Sequence, residues 1–246
     1  AILLKNNNSQ RQLEGLPDQD ELVYGELPEQ LLIEENNAQF KIDIMGGQKT
    51  GWFYDHRSSR AELAKLASGK TVLDLFSYAG AWGIPAAMKG AEQVTCVDSS
   101  ASAIALAEHN AQLNQVSDNM QFIQSDVFEY LKHIRLEKQH FDIVVLDPPA
   151  LIKRKKDFKS GYEAYRRLNH LALQVLGKDG ILVSASCSYH LSKNNLHEIL
   201  RSSARHIDRN LSIVIKGGQA PDHPIHPAIS ETEYLKTCFC AVSESL

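Results

Sequence analysis

From about residue 58 onward the chain alternates between short apolar runs with strand character and longer runs with a helical pattern. The strand-like runs lie at 71–75, 93–98, 120–123, 141–146 and 180–184, with two more near 211–215 and 235–242. Helical segments are predicted near 58–67, 82–89, 100–113, 126–136, 161–177 and 192–206. This alternation predicts an α/β fold: a mostly parallel seven-stranded sheet, helices on both faces, and an antiparallel edge formed by the last two strands.

The first part of the chain has a different pattern. Residues 1–20 are polar and rich in Asn, Gln and Asp, which favours a linker or a poorly ordered segment. Strand-like pieces follow at 22–24, 31–35 and 40–44, and in the last one apolar and polar residues alternate. We therefore predict three parts: a linker at 1–20, a small antiparallel β module with a following loop at 21–57, closed by Gly46-Gly47, and the α/β domain at 58–246.

The composition restricts the class of protein. Hydrophobic residues make up 43% of 246 positions, enough for a full core. With 26 basic and 30 acidic residues the net charge is −4, which argues against a globally basic nucleic-acid binder but leaves a local basic patch open. The apolar runs are too short to span a bilayer and no leader peptide is recognised, so we expect a cytoplasmic protein without a membrane partner. A start at Ala1 rather than Met is typical of a trimmed fragment.

The four cysteines include no CxxC pair, and His223 and His226 lack further nearby ligands, so no metal site is expected. Three of the cysteines, Cys96, Cys238 and Cys240, fall inside strand-like runs and are interpreted as core residues. Cys187 differs, because it follows the strand at 180–184 in the segment SASCSYH. Two interpretations stay open for it: an inert buried thiol or a nucleophile.

Acidic residues and a small-residue loop mark the ends of the first three strands. The candidate cofactor contacts are Asp74, Phe76, Ser77, Tyr78, Ala79 and Gly80 at and after the end of the first strand, Asp98 and Ser99 at the end of the second, and Ser125, Asp126 and Val127 after the third. At the carboxyl edge of a doubly wound sheet, an acid after the second strand is placed to hold a ribose diol, and the third strand end is placed to meet an adenine edge. Asp126 is equally explained as a helix N-cap.

The order of these strand ends resembles a Rossmann-like class I methyltransferase that uses S-adenosylmethionine. The loop lacks the GxGxxG spacing, and no GxxxxGK[ST] motif occurs, so pyrophosphate binding and a nicotinamide-dependent oxidoreductase are disfavoured. The fourth strand runs into Asp147-Pro148-Pro149-Ala150, which resembles the motif of base-methylating enzymes. A simple strand terminator is the alternative. Enzymes that methylate exocyclic amines usually carry an aromatic residue where this chain has Ala150, which lowers the expectation of amine methylation.

Strand-end residues of one parallel sheet share an edge, so Cys187 is expected to face the same pocket as Asp147. This pairing suits methylation at C5 of a pyrimidine. C5 of cytosine is a weak nucleophile, and a thiolate that adds to C6 makes C5 able to attack a sulfonium methyl group. Asp147 is then placed to hydrogen-bond the base and to contact the cofactor.

The segments GGQKTGWFYDHRSSR, DLFSYAGAWG, DPPALIKRKKDF and SCSYH, with a later DHP…EYLK, resemble the bacterial family of 23S ribosomal RNA cytosine-C5 methyltransferases over about residues 20 to 246. The resemblance implies Cys187 as nucleophile, Asp147 as a base contact, and a loop over the cofactor formed by 48–51 and 55–57. Within that loop Lys49, Thr50 and Arg57 are cofactor candidates. Lys49 and Arg57 are equally suited to an RNA phosphate, and an ordinary solvated charge is the alternative for both. The family also implies a PUA RNA-binding domain ahead of the β module. None is recognised before residue 20, so we expect a truncated chain or one that works without it.

The expected partner is ribosomal RNA. Pro148, Pro149, Lys153, Arg154, Lys155 and Lys156 are the candidate substrate contacts, with a solvated loop as the alternative for the basic run. The sequence is also compatible with a homodimer. We expect an enzyme that transfers methyl from S-adenosylmethionine to C5 of a cytosine in ribosomal RNA, releasing S-adenosylhomocysteine. Methylation of an exocyclic amine of adenine or guanine, or a non-catalytic RNA- or cofactor-binding protein of this fold, remain as alternatives.

Overall fold

The computed structural model describes residues 1–6, 9–17, 19–45 and 51–244. It divides into two compact units, one of Ala1–Ile33 with Lys41–Phe53 and one of Glu34–Phe40 with Tyr54–Leu246. The domain divisions expected after residues 20 and 57 remain predictions, because compact units need not coincide with domains.

The N-terminal elements are short. They are strands β1 Ile2–Leu4, β2 Glu21–Tyr24, β3 Leu31–Glu35 and β4 Ala38–Ile42, with helix α1 Ser9–Leu13 between the first two strands. Strands β1 and β2 pair antiparallel, so part of the segment expected to be a linker is a strand. Strands β3 and β4 form a hairpin whose turn residues, Asn36 and Asn37, both have positive φ, as a two-residue turn requires. Strand β4 begins and ends two residues before the predicted run, and Gly46-Gly47 lie outside the described residues.

The α/β part contains six helices and seven strands among the described residues. The helices are α2 Arg57–Leu66, α3 Gly83–Met88, α4 Ala101–Leu113, α5 Val127–Leu136, α6 Phe158–Gln174 and α7 Lys193–Arg205. The strands are β5 Thr71–Leu75, β6 Gln93–Asp98, β7 Met120–Gln124, β8 Phe141–Leu146, β9 Leu176–Ser186, β10 Arg209–Gly217 and β11 Lys236–Glu244. None of these helices is both long and apolar enough to cross a bilayer.

The seven strands form one sheet in the order β10-β11-β9-β8-β5-β6-β7. The pairs from β9 to β7 are parallel, whereas β11 runs antiparallel to both β9 and β10. The predicted fold class, including its antiparallel edge, is therefore confirmed. The chain leaves β5 towards β6 on one side and later returns to β8 on the other, so the switch point of the sheet lies between β5 and β8. Ligands of such sheets bind outside the carboxyl ends of the strands at this point.

Helices cover both faces of the sheet. On one face α5, α6 and α7 contribute Leu131, Leu168 and Ile199 to a continuous buried cluster that also contains Leu73 and Leu75 of β5. On the other face α3 lies close to β5 and β6. A Cβ atom added at Gly83 would come within 2.9 Å of both Val94 and Cys96, so only glycine permits this approach. The central strands are thus buried on both sides, and their carboxyl ends are held rigidly.

Candidate active site

The register of the sheet brings four strand ends to one level. Leu75 of β5 is the partner of both Val97 and Leu146, and Leu146 is in turn the partner of Ser184. The residues that follow these positions therefore emerge at a single edge. This edge brings together the loop after β5, Asp98 at the end of β6, Asp147 after β8 and Cys187 after β9, as the sequence predicted.

The loop after β5 has a strained backbone. Phe76 and Tyr78 have φ of 62° and 47°, the left-handed region that costs a bulky residue about 1–3 kcal/mol. Hydrogen bonds hold this conformation, since Ser77 N donates to Val97 O at 3.1 Å and Tyr78 N to Asp98 Oδ2 at 3.0 Å. Gly80 completes the turn with φ 80°. Strain of this kind is typical of backbone shaped around a ligand.

Asp74 lies beneath this loop and is fully buried. Its Oδ2 accepts a hydrogen bond from Gly83 N at 3.0 Å, which fixes the start of α3. Burial raises the pKa of Asp74 to about 8, against the opposing effect of the Gly83 bond, so the carboxyl is protonated at neutral pH. Burial and the Gly83 bond support a role in holding the loop, while a direct contact of Asp74 with the cofactor stays a prediction.

The next two strand ends offer further hydrogen-bonding groups. Asp98 is partly exposed and also accepts from Ser100 N at 2.9 Å, and Ser99 beside it is exposed. Asp126 caps α5 by accepting from Glu129 N at 3.1 Å, and its side chain is exposed. The capping interpretation of Asp126 is thus observed, and a cofactor contact remains compatible with it. Ser125 donates its N–H to Asp98 O at 3.0 Å, and Val127 is buried.

Asp147 is held by two aromatic side chains. His56 Nε2 lies 3.1 Å from Asp147 Oδ1, and Trp82 Nε1 donates to Asp147 Oδ2 at 2.9 Å. Burial acts to raise the pKa of Asp147, but His56, Trp82 and Arg60 outweigh it and lower the pKa below its ordinary value. The side chain keeps 19% exposure. An ionised acceptor therefore faces the edge of the sheet in a fixed orientation.

The segment 55–57 brings three consecutive side chains to three different partners. Asp55 Oδ2 accepts from Tyr234 Oη at 2.8 Å, His56 meets Asp147, and Arg57 lies 3.3 Å from Asp222 Oδ2. Arg57 thus pairs with a carboxylate, and its predicted contact with the cofactor remains a prediction. Lys49 and Thr50, the other two candidates from this loop, lie outside the described residues.

Cys187 follows β9 and is the partly exposed cysteine among the four, whereas Cys96, Cys238 and Cys240 are buried. Its Sγ lies 3.9 Å from Pro148 O, the carbonyl of the residue after Asp147. Burial raises the pKa of Cys238 to about 11 and also raises that of Cys96 and Cys240. Those three thiols are unreactive for this reason. Cys187 has the exposure that a nucleophile needs, beside the loop that carries Asp147.

A buried hydroxyl network holds the residues on either side of Cys187. Ser186 Oγ donates to Tyr165 Oη at 2.9 Å, and Tyr165 Oη and Ser188 Oγ share a hydrogen bond of 2.9 Å. Ser188 Oγ also accepts from Ile152 N at 3.1 Å. The network links β9, α6 and the loop after Asp147, and so fixes the thiol relative to that loop.

A cavity of about 310 Å³ lies beside the segment that follows Cys187. Its lining includes Tyr189, Leu191, Lys193, Glu233 and Lys236, but neither Cys187 nor any of the predicted cofactor contacts. Lys236 is 6% exposed, and its Nζ donates to Ser188 O at 2.7 Å. His56 belongs to the segment 55–57 predicted to lie over the cofactor, but its contact with Asp147 was not predicted. Lys236 and Trp82 were not predicted as site residues, since they come from segments far from Asp147 and Cys187 along the chain.

The predicted substrate contacts occupy a surface beyond Asp147. Pro148 is buried and Pro149 exposed, while Lys153, Arg154, Lys155 and Lys156 are all exposed. Arg154 pairs with Asp157 at 3.0 Å, so part of its charge is satisfied locally. Within the described residues, no group of three or more His, Cys, Asp or Glu side chains is arranged to hold a metal ion.

The hydrogen-bond acceptors at the strand ends fit S-adenosylmethionine. Asp98, Asp126 and Asp147 present acceptors at three strand ends, which matches the hydroxyl and amino donors of that cofactor. Comparison with known proteins agrees. Residues 12–230 match the family described as S-adenosylmethionine-dependent methyltransferase.

Among curated proteins, the ribosomal RNA large subunit methyltransferase I of Yersinia pestis is 37% identical over 244 residues. The match covers 98% of this chain and 62% of the relative, so the chain spans less than two thirds of that protein. A putative methyltransferase solved with SAH has a TM-score of 0.81 at 29% identity, over 90% of this chain and 58% of that one. A putative SAM-dependent methyltransferase from Streptococcus mutans gives 0.80 at 28% identity with the same coverage. The chain therefore belongs to the S-adenosylmethionine-dependent methyltransferase family, whose cofactor is S-adenosylmethionine.

Proposed function

We propose that the chain methylates C5 of a cytosine in large-subunit ribosomal RNA, through a covalent adduct between the base and Cys187. The observation that carries this proposal is the 3.9 Å approach of Cys187 Sγ to Pro148 O. A partly exposed thiol thereby lies against the loop of an ionised aspartate, at the cofactor edge of the sheet. The 37% identity to an enzyme named for ribosomal RNA methylation supports the choice of substrate.

The cofactor supplies an electrophilic methyl group, and this chain's residues prepare the base to accept it. The Cys187 thiolate adds to C6, which moves electron density to C5 and makes it nucleophilic. C5 then bonds to the methyl carbon as the methyl–sulfonium bond breaks, and that electron pair leaves with the sulfur of S-adenosylhomocysteine. Loss of the C5 proton to water returns its electron pair to the ring, which expels the Cys187 thiolate and restores the C5–C6 double bond. Asp147, fixed by His56 and Trp82, orients the base by accepting a hydrogen bond from its amino group.

The cofactor lies along the ends of β5, β6 and β7 in this proposal. Asp98 accepts from the ribose hydroxyls, the strained loop Phe76–Gly80 lies beside the cofactor, and Ser125–Val127 meet the adenine. The partly exposed rings of Phe76 and Tyr78 exclude water from this surface. We keep Lys49, Thr50 and Arg57 as candidate contacts above it.

The RNA approaches from the loop after Asp147. Lys153, Arg154, Lys155 and Lys156 are exposed cations that hold phosphates next to a flipped nucleotide. Pro149 is exposed beside them and provides an apolar surface for the base. A chain of net charge −4 then binds RNA through a local patch rather than through its overall charge.

The test is methyl transfer from labelled S-adenosylmethionine to unmodified large-subunit ribosomal RNA, followed by nucleoside analysis. We expect labelled 5-methylcytosine from the wild-type protein. Cys187→Ser lowers turnover by on the order of 10³-fold or more, because the hydroxyl is not ionised at neutral pH. Cofactor affinity, measured by calorimetry, stays within about twofold, because Cys187 lies outside the predicted cofactor contacts.

Cys238→Ala is the matched control. It removes a buried thiol from β11 and retains transfer. Full activity of Cys187→Ser would remove the nucleophile assignment. Methyl on a base nitrogen would select amine methylation instead, and cofactor binding without transfer to any RNA would select a non-catalytic binding protein.

A further inference from the structure

Lys236 is an unusual feature of the region around Cys187. It opens β11 at the position opposite Ser186, the residue before Cys187. Its Nζ donates at 2.7 Å to the carbonyl of Ser188, the residue after Cys187. Backbone pairing and side chain thus attach Lys236 to both neighbours of the thiol, although 49 positions separate the two residues along the chain.

We propose that Lys236 is the proton partner of Cys187: its amine takes the thiol proton and, as an ammonium ion, stabilises the thiolate. The inference deepens the proposed function and rests on its nucleophile. In this step the Sγ–H bond breaks, its electron pair stays on sulfur, and the proton binds the nitrogen lone pair. When the C6–S bond breaks at the end of the cycle, the same proton returns to sulfur.

Burial explains why a lysine at this place suits such an exchange. A neutral carbonyl compensates a buried ammonium ion only in part, so a nearby thiolate adds stabilisation. Burial lowers the pKa of Lys236 to about 8, and the opposing influence of Cys187 raises it. That value is close to the ordinary thiol pKa of about 8.5, so the proton is exchanged at little cost in free energy.

The other charged groups around Lys236 modify this balance. Lys193 lowers the pKa of Lys236 and Glu233 raises it, and the two form an exposed ion pair of 2.5 Å. Tyr165 and Tyr234 also respond to the charge on Cys187, but burial raises the pKa of both phenols. Tyr165 is bonded to two serines and Tyr234 donates to Asp55. Of Tyr165, Tyr234 and Lys236, only the lysine can carry a positive charge, so it is the group suited to stabilise a thiolate at Cys187.

The test is the rate of iodoacetamide alkylation at Cys187 between pH 5.5 and 9.5, without RNA or cofactor, with the labelled peptide located by mass spectrometry. Wild-type protein is expected to reach half its maximal alkylation rate at a pH below the pKa of an ordinary thiol, about 8.5. Lys236→Met slows alkylation at pH 7 by about tenfold and moves the half-maximum to higher pH, because the thiolate loses its counter-charge. Lys236→Arg keeps the charge and restores the rate to within about threefold of wild type.

Lys193→Met is the control, since it removes an exposed cation that faces the same cavity. It does not slow alkylation, because its loss favours the ammonium form of Lys236. Equal rates for wild type and Lys236→Met would overturn the proposal. If Lys236→Met fails to fold, the wild-type protein still tests the proposal. A half-maximal alkylation rate at a pH at or above the ordinary thiol pKa of about 8.5 would overturn it as well. The assay contains no RNA, so its outcome is independent of whether cytosine is the substrate.

Discussion

Two carboxyl groups near the switch point meet different partners, and their protonation differs accordingly. Asp147 lies against His56 and the indole N–H of Trp82, which keep it ionised despite burial. Asp74 has one described backbone donor and lies near Asp147 and Asp98, whose negative charges add to the effect of burial and raise its pKa. One group thus serves as a fixed charge and the other as a neutral hydrogen-bonding group.

Replacement of Asp74 by Asn tests this protonation state. The pKa of Asp74 is raised in the folded protein, so its contribution to stability is complete below about pH 4 and is lost as pH rises through about 8. The wild-type free energy of unfolding therefore falls over that window by up to about 1.4 kcal/mol per pH unit. Asp74→Asn makes this dependence shallower, which urea unfolding at pH 5, 6, 7 and 8 measures.

Asp118→Asn is the control for this experiment. Asp118 is exposed, so its replacement leaves the wild-type slope unchanged. If the free energy of unfolding of Asp74→Asn falls with pH as steeply as that of the wild type, the carboxyl of Asp74 is ionised over the whole pH range tested.

The site was predictable where strand ends define it. Asp147 and Cys187 end adjacent parallel strands, so their meeting follows from the alternation of elements. His56, Trp82 and Lys236 were not predictable in the same way. His56 directly precedes α2 and Trp82 directly precedes α3. Lys236 is the first residue of β11, which pairs with β9 although β10 lies between these two strands in the sequence.

At the scale of elements, α6 depends on a glycine. A Cβ atom at Gly161 would lie 2.5 Å from Leu151 O and would also collide with Ile152. Helix α6 thus packs directly against the loop that follows Asp147, and glycine is required for this approach rather than for a turn.

Gly161→Ala is expected to destabilise the protein even though alanine is the better helix former. The helix gains about 1 kcal/mol in propensity, but the clash with backbone atoms of the loop costs more, so the net loss is about 1–3 kcal/mol. Lys159→Ala, an exposed change two positions earlier in the same helix, changes stability by less than about 0.5 kcal/mol. Thermal unfolding measures both, and a stabilised Gly161→Ala would refute the close packing.

The boundaries of α6 differ from the predicted ones. The helix was predicted near 161–177, yet it begins at Phe158. Its end was expected at 177, but Phe141 N donates to Val175 O at 3.0 Å and β9 starts at Leu176. The period of hydrophobic residues locates elements, whereas tertiary pairing decides where they begin and end.

At the scale of the whole molecule, a buried ion pair joins the end of β3 to α2. Arg60 Nη1 of α2 lies 2.7 Å from Glu35 Oε1 at the end of β3, and both side chains are at most 3% exposed. Removing one member leaves the other charge buried without this partner, which typically costs about 3–5 kcal/mol.

Glu35→Gln is therefore expected to lower the free energy of unfolding by about 3 kcal/mol. The matched control is Glu62→Gln, which breaks an exposed pair between Glu62 and Lys65 of 2.6 Å and costs less than about 1 kcal/mol. Guanidinium unfolding curves of both variants give the loss in free energy of unfolding for the buried pair and for the exposed pair. Equal losses would mean that the buried pair contributes no more than the surface one.

The position of β11 has a consequence for how the protein is made. It lies between β9 and β10 in the sheet but follows both of them in the chain. A ribosome therefore releases β9 and β10 while the strand that separates them has still to be synthesised. Until residues 236–244 emerge, β9 has an open edge and Cys187 has no Lys236 beside it. The parallel strands β5 to β9 can assemble first, and the segment around Cys187 acquires its contacts with Lys236 only when β11 inserts.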